Sequence, residues 1–193
     1  MVKDPDTILS QGVIDRESLA VAMLEQYYAS LHFLAYSILS DPDLADDAVQ
    51  EAIIRALDRI ESYQVGSNMH AWLSAIVVNQ CRDMLRRMKT RQRVQDVLQR
   101  FKINRTPQHS TEDRLLSNEA KQDLWSAVNT LNDKHRLPII LRYVHNYNAR
   151  EIAQILGTRE GTIHSRLHYA CRQLQRQLMI TDDEALIKEY LYE

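Results

Sequence analysis

The chain has 193 residues, 26% of them charged and 45% hydrophobic, which is the balance of a globular protein and too apolar for a disordered one. Glycine and proline number only 4 each, so turns are scarce, and sandwiches, barrels and doubly wound sheets, which need many short connections, are excluded in favour of long helices. The formal net charge of −2 argues against indiscriminate nucleic-acid binding by the whole chain but leaves room for local basic faces.

Other classes fall away quickly. No run of about 18 apolar residues is present, and the acidic opening Met-Val-Lys-Asp-Pro-Asp has no apolar h-region, so neither a membrane span nor a signal peptide is expected. Cys81 and Cys171 stand far apart with no CxxC pattern, which favours neither a disulfide framework nor a zinc site. A cytoplasmic protein without membrane insertion is the expectation. No Gly-rich phosphate loop, HExxH or GxSxG constellation is found, so no catalytic residues and no cofactor are assigned.

In chain order, residues 1–18 read as an N-terminal leader. Leu19, Met23, Tyr27, Leu31, Leu34 and Ile38 recur at helical spacing. Asp41-Pro42 then supplies an N-cap and a first-turn proline for a second helix, whose stripe is Leu44, Ala48, Val49, Ala52, Ile53, Ala56 and Ile60. A loop over Ser62–Met69 carries Gly66, Ser67 and Asn68. A third helix follows, with Trp72, Leu73, Ile76, Val77, Met84, Leu85 and Met88 on one side; Val94, Val97, Leu98 and Phe101 either extend it or form a short helix of their own. Asn104–Thr111 is the best linker stretch. Leu115, Ala120, Leu124, Val128 and Leu131 mark the next helix. Asn132-Asp133 caps another that reaches about His145 despite Pro138, whose place near the start limits its cost.

Asn148-Ala149-Arg150-Glu151 has the form of a capping box, the helix behind it runs to Leu156, Gly157 stops it, and Thr158 caps the next helix. Two short helices about a tight glycine turn make a helix-turn-helix. Wound at 100° per residue, the second helix sets Ile163, Leu167, Ala170 and Leu174 against its domain, with Cys171 at the margin. Gly161, Ser165, His168 and Arg172 lie opposite, flanked by His164 and Tyr169, a face suited to base edges and phosphates. The plainer alternative is the solvated side of a bundle helix. His164 and His168 stand four residues apart, but no third metal ligand is near them.

Charge is segregated along the chain. Residues 40–63 carry a net −5, residues 80–105 a net +7, residues 148–179 a net +3 and the last fourteen a net −4. Such a mosaic implies more than one charged partner.

The stretch LNDKHRLPIILRYVHNYNAREIAQILGTREGTIHSRLHYACRQL, from Leu131, resembles region 4 of bacterial sigma factors of the extracytoplasmic-function (ECF) group. DLADDAVQEAIIRA, from Asp43, resembles region 2.2 of the same family, and MHAWLSAIVVNQCRDMLRR, from Met69, its regions 2.3 and 2.4. The motifs occur in the family's order. The resemblance implies an all-α protein of two helical domains joined by a flexible linker: leader 1–18, region 2 over 19–93, linker 94–112, the region 4 helix-turn-helix over 113–179, and an acidic extension over 180–193.

It also implies a promoter-specific initiation factor for RNA polymerase. Asp47, Gln50 and Glu51 fall at the positions that dock on the β′ clamp helices; the β flap is the further expected contact on core polymerase. Ser67 and Asn68 of the loop, with Asn79, Arg82, Arg86, Arg87 and Lys89 of the third helix, fall where the −10 element is read and opened. Arg159, Thr162, His164, Ser165, Arg166, His168, Tyr169 and Arg172 fall where the −35 element is read. Promoter DNA and core polymerase are the implied partners, and an anti-sigma factor is a further one that the family often uses. Trp72, a conceivable stacking platform, is assigned to the core by its place in the apolar stripe. The chain departs from the family where lysine or arginine is common at His164 and arginine at Tyr169 and Cys171, so its recognition helix is less basic than usual. The competing reading is a helix-turn-helix repressor or activator that works without polymerase.

Overall fold

The computed structural model describes residues 4–10, 15–100 and 119–178. Phe101, the core of the linker, Leu115 and the extension over 180–193 lie outside the described residues. Among the described residues there are helices and turns but no strands, and no helix is long and apolar enough to cross a membrane. Two compact units are formed, Met1–Leu85 with Arg150–Arg159, and Arg86–Ala149 with Glu160–Glu193.

In the first unit, helix α1 (Pro5–Ser10) lies within the stretch read as a leader and packs on α2 (Arg16–Leu39), burying Pro5 and Ile8. Helix α2 is 24 residues without glycine or proline. Asp15 caps it, its carboxylate accepting from the Glu17 N–H at 3.2 Å and from the Ser18 hydroxyl. Ser40, in the left-handed conformation at φ 58°, ends it, donating its N–H to Tyr36 O at 2.8 Å. Helix α3 (Pro42–Asp58) begins as its sequence predicts: Asp41 Oδ1 accepts from the Leu44 N–H at 3.0 Å and Pro42 takes the first turn. Its inward face is mostly alanine, at positions 45, 48, 52 and 56, all fully buried. These small side chains let α3 lie close against Leu31, Leu34, Ala35 and Ile38 of α2, which are equally buried.

Helix α4 (Met69–Arg100) starts after a 3₁₀ turn, Ile60–Ser62, and a short loop. Leu73, Val77, Val78 and Cys81 form its buried face. Arg55 of α3 ties the bundle laterally, pairing with Glu51 at 3.0 Å and reaching Asp83 of α4 at 3.9 Å. Two expectations for α4 change. Met88, read as part of the apolar side, is 46% exposed. Trp72 is half-buried rather than buried, its ring tilted on Tyr63 with centroids 5.2 Å apart. The third helix is also continuous through Arg100, so residues 94–100, with which the expected linker opens, are helical.

The second unit comprises α5 (Glu119–Thr130), α6 (Asp133–Ile139) and α8 (Glu160–Leu178), with α8 packed on both others. Leu124, Val128, Leu137, Ile139, Ile140, Leu141, Ile163, Ala170 and Leu174 are its buried centre. The chain stays helical through Pro138 as expected, but Ile140–Val144 winds as a π-helical turn, with the His145 N–H donating to Ile140 O at 3.2 Å. Asn146, at φ 59°, then turns the chain away.

Helix α7 (Ala149–Ile155) ends in a Schellman motif. Gly157 sits at φ 60°, its N–H donates to Gln154 O at 3.3 Å, and the Thr158 N–H donates to Ala153 O at 2.9 Å. The Thr158 N–H thus closes α7, and α8 begins at Glu160, one residue later than an N-cap at Thr158 would place it.

Two outcomes follow from this packing. A Cβ at Gly157 meets nothing within 4 Å, so Gly157→Ala carries only the left-handed backbone cost. It should destabilise the chain by about 1 kcal/mol in urea unfolding; a cost above about 3 kcal/mol would mean that the turn is sterically closed. Cys81 is fully buried, and burial pushes its thiol up to about 12. A thiol reagent at neutral pH, followed by mass spectrometry, should label half-buried Cys171 well before Cys81, and equal rates in the folded protein would contradict the assigned core.

Candidate functional site

Three surfaces carry the residues singled out by the sequence. The first is the outward face of α3. With alanines turned inward, Asp43, Asp47, Gln50 and Ile54 line up at helical spacing and all are exposed. Glu51, beside them, is half-buried and held by Arg55. Asp46, counted with the acids of this segment, instead faces α2, where it accepts from the Tyr28 hydroxyl and lies 3.3 Å from His32 Nε2. The hydrogen bond to Asp46 is the first cause holding the Tyr28 hydroxyl above its ordinary range. Ile54 is 55% exposed, an apolar group at the end of an acidic stripe, and sequence reasoning missed it. The signal was present: Ile54 falls between two buried positions, 53 and 56, on the side opposite the alanines.

The second surface is the loop Tyr63–Asn68 with the face of α4 behind it. Gly66 takes φ 83°, which a side chain would strain. Tyr63 is buried and donates its hydroxyl to Ser67 O at 2.7 Å, and the Ser67 N–H donates to Gln64 O at 3.0 Å. Burial, with the Asp6 carboxylate adding, pushes the Tyr63 hydroxyl up to about 12, so the group stays a neutral donor. Asn68 is the N-cap of α4, its Oδ1 accepting from the Ala71 N–H at 3.0 Å. The loop is thus pinned at both ends, with Ser67, Asn68 and the 52%-exposed Val65 outside. At 100° per residue, Trp72, Asn79, Arg82 and Arg86 share one side of α4, with Lys89 at its edge. Asn79, Arg86, Arg87 and Lys89 are exposed and Arg82 is half-buried. Lys89 Nζ lies 3.9 Å from Asp133.

The third surface is the outward face of α8. Gly161, His164, Ser165, His168, Tyr169 and Arg172 are all exposed, while Ile163, Ala170 and Leu174 are buried, so the division read from the sequence is the one the helix adopts except at Leu167, expected inward and only half-buried. Arg159 is exposed just before the helix; Thr162 and Arg166 are half-buried. Ser165 spends its hydroxyl on Thr162 O at 3.0 Å, and His164 Nε2 lies 3.7 Å from Glu160. A groove of about 890 Å³ runs beside this face, lined among others by Arg142, Tyr143, His168, Cys171 and Arg172. Among the described residues no group of three histidine, cysteine or acidic side chains could hold a metal ion. Tyr169 does not stand alone: its ring stacks on that of His135 from α6, centroids 4.4 Å apart at 29°. Nothing in the sequence pattern paired these two residues.

The geometry agrees with what the chain resembles. The Sigma-70 region 2 family model matches residues 23–92, and the Sigma-70 region 4 model matches residues 127–176. The chain is 33% identical over 155 residues to the ECF RNA polymerase sigma factor EcfG of Rhodopseudomonas palustris (strain TIE-1), covering 80% of this chain and 82% of the relative. It is 31% identical over 162 residues to the ECF RNA polymerase sigma factor SigL of Mycobacterium tuberculosis (strain ATCC 25618 / H37Rv), covering 83% and 89%. Among solved structures, the sigma factor RpoE in complex with the anti-sigma factor NepR from Bartonella quintana superposes with a TM-score of 0.60 at 29% identity, over 82% of this chain and 96% of that one. CnrH, in complex with the cytosolic domain of CnrY, has the same fold, with a TM-score of 0.62 at 19% identity over 91% and 95%. An ordered pair of regions 2 and 4, together with relatives above 30% identity that are matched over most of their length, means that this chain belongs to the ECF family of RNA polymerase sigma factors.

Proposed function

We propose that the chain directs promoter-specific initiation by dividing three tasks among its three surfaces, and that it does so in the cytoplasm, where polymerase and DNA are. Asp47, Gln50 and Glu51 on α3 dock on the β′ clamp helices, with Ile54 supplying an apolar contact that area burial makes favourable. An acidic face meeting a basic partner speeds encounter and sets register more than it adds affinity. The loop and α4 take the −10 element. Ser67 and Asn68 offer polar groups to an unstacked base, Asn79 an amide to a base edge, and Arg82, Arg86, Arg87 and Lys89 neutralise phosphates. The α8 face, with Arg159, Thr162, His164, Ser165, Arg166, His168, Tyr169 and Arg172, takes the −35 duplex in its major groove, while the β flap holds this part of the chain on the polymerase.

The observation that carries this reading is the sequence of chemistry along one element. A loop pinned by Tyr63 and by the Asn68 cap leads directly into a helix face that presents an amide at Asn79 and then cations from Arg82 onward. Base reader and phosphate clamp are thereby in fixed register. The RpoE structure holds an anti-sigma factor, which supports the same class of partner here.

Reconstitution with core polymerase on a promoter library tests the function: start-site choice should depend on this chain. Asp47→Lys should weaken core binding about tenfold, chiefly through slower association and most strongly at low salt; unchanged binding would refute the docking face. Asp47 is the informative position because a lysine at 51 would also repel Arg55. Replacing Arg86 and Arg87 together by alanine should weaken promoter complexes and reduce the slope of log affinity against log salt by roughly 1.5–2. A slope that does not change would remove these residues from the phosphate path.

A further inference from the structure

Tyr169 is 56% exposed on the outward face of α8, yet one side of its ring is covered by His135, the third residue of α6, which is only 8% exposed. A buried histidine is usually explained by its hydrogen bonds, but His135 Nδ1 is buried and meets no partner. What the site uses is the flat ring. Burial first, then the charges of Lys134 and Arg166, hold the imidazole below its ordinary pKa, so it is an uncharged plate. Phenol and imidazole lie nearly parallel at a separation that favours stacking.

We propose that His135 is a positioning residue for DNA reading: by stacking on Tyr169 it fixes that phenol on the α8 face, so that Tyr169 discriminates one base pair of the −35 duplex. This rests on the assignment of α8 to the −35 element. An arginine at 169, which the family pattern leads one to expect, reads guanine through a fork with built-in geometry. A tyrosine has one hydroxyl and an apolar ring that suits a thymine methyl. Without a brace its exposed ring would rotate and its selectivity would fall. The stack supplies the orientation that a guanidinium carries in its own plane.

The test uses the full chain with core polymerase and promoter duplexes in which each −35 base pair is varied in turn. Tyr169→Ala should lower discrimination at one base pair, leaving the others and the −10 dependence as they were. His135→Leu, which fills the space without a flat ring, should lose discrimination at that same base pair by about 3- to 10-fold. His135→Phe, which keeps the plate and removes the unpartnered nitrogen, should restore it to within about twofold with no loss of thermal stability. In a Tyr169→Ala background, His135→Leu should add nothing. If Tyr169→Ala changes discrimination but His135→Leu does not, the positioning role is refuted while −35 reading by Tyr169 stands. If Tyr169→Ala changes nothing, Tyr169 does not read DNA and the inference falls with it. If His135→Leu acts equally with and without Tyr169, or if His135→Phe fails to rescue, His135 does not act through the stack.

Discussion

The close approach of α3 to α2 through alanines 45, 48, 52 and 56 is the contact on which the rest of the first unit depends. Small side chains on one face make a tight seam with Leu31, Leu34 and Ile38, and the helical period then leaves Asp43, Asp47, Gln50 and Ile54 outside. The acidic surface needs no special device: it is what remains of α3 once the alanine face is buried. Arg55, held by Glu51 on the same helix, extends the constraint to α4 through Asp83, so the helix proposed to carry the −10 residues is braced by the helix proposed to carry the docking residues.

The two proposed DNA-reading surfaces are built differently. The loop before α4 is held by hydrogen bonds, at Tyr63 on one side and at the Asn68 cap on the other, with Gly66 permitting the turn. That suits an unpaired base, which needs a fixed pocket edge. The α8 face is held by apolar burial of Ile163, Ala170 and Leu174 and reads outward from a rigid cylinder, which suits a duplex groove. The competing picture of a regulator that works without polymerase has no place for the region 2 match over residues 23–92.

Much of this was legible in the residues. Periodicity located α2, α3 and the start of α4; the Asp41-Pro42 cap and the Gly157 stop were read correctly; and the in-and-out division of α8 followed from winding the helix. Three expectations changed. Thr158 is a good cap by type, but the Schellman turn that closes α7 runs through it and α8 begins only at Glu160. Met88 fits the apolar period of α4, yet it stays 46% exposed, because a repeat along one helix does not say where a neighbour packs on it. The π-helical turn at Ile140–Val144 leaves no mark in an apolar run that suits either winding.

The sequence by itself determined the class of helices, their caps, the segregation of charge and the ordered motifs of regions 2 and 4, because each of these depends on residues close in the chain. Tertiary structure alone decided that Asp46 turns to Tyr28 and His32 instead of joining the acidic face, and that His135 lies under Tyr169. The reason is geometric. Which of several equally polar side chains meets a partner is set by how two helices cross, and the two sides of such a contact lie between fourteen and thirty-four positions apart in a sequence that records neither distance nor angle.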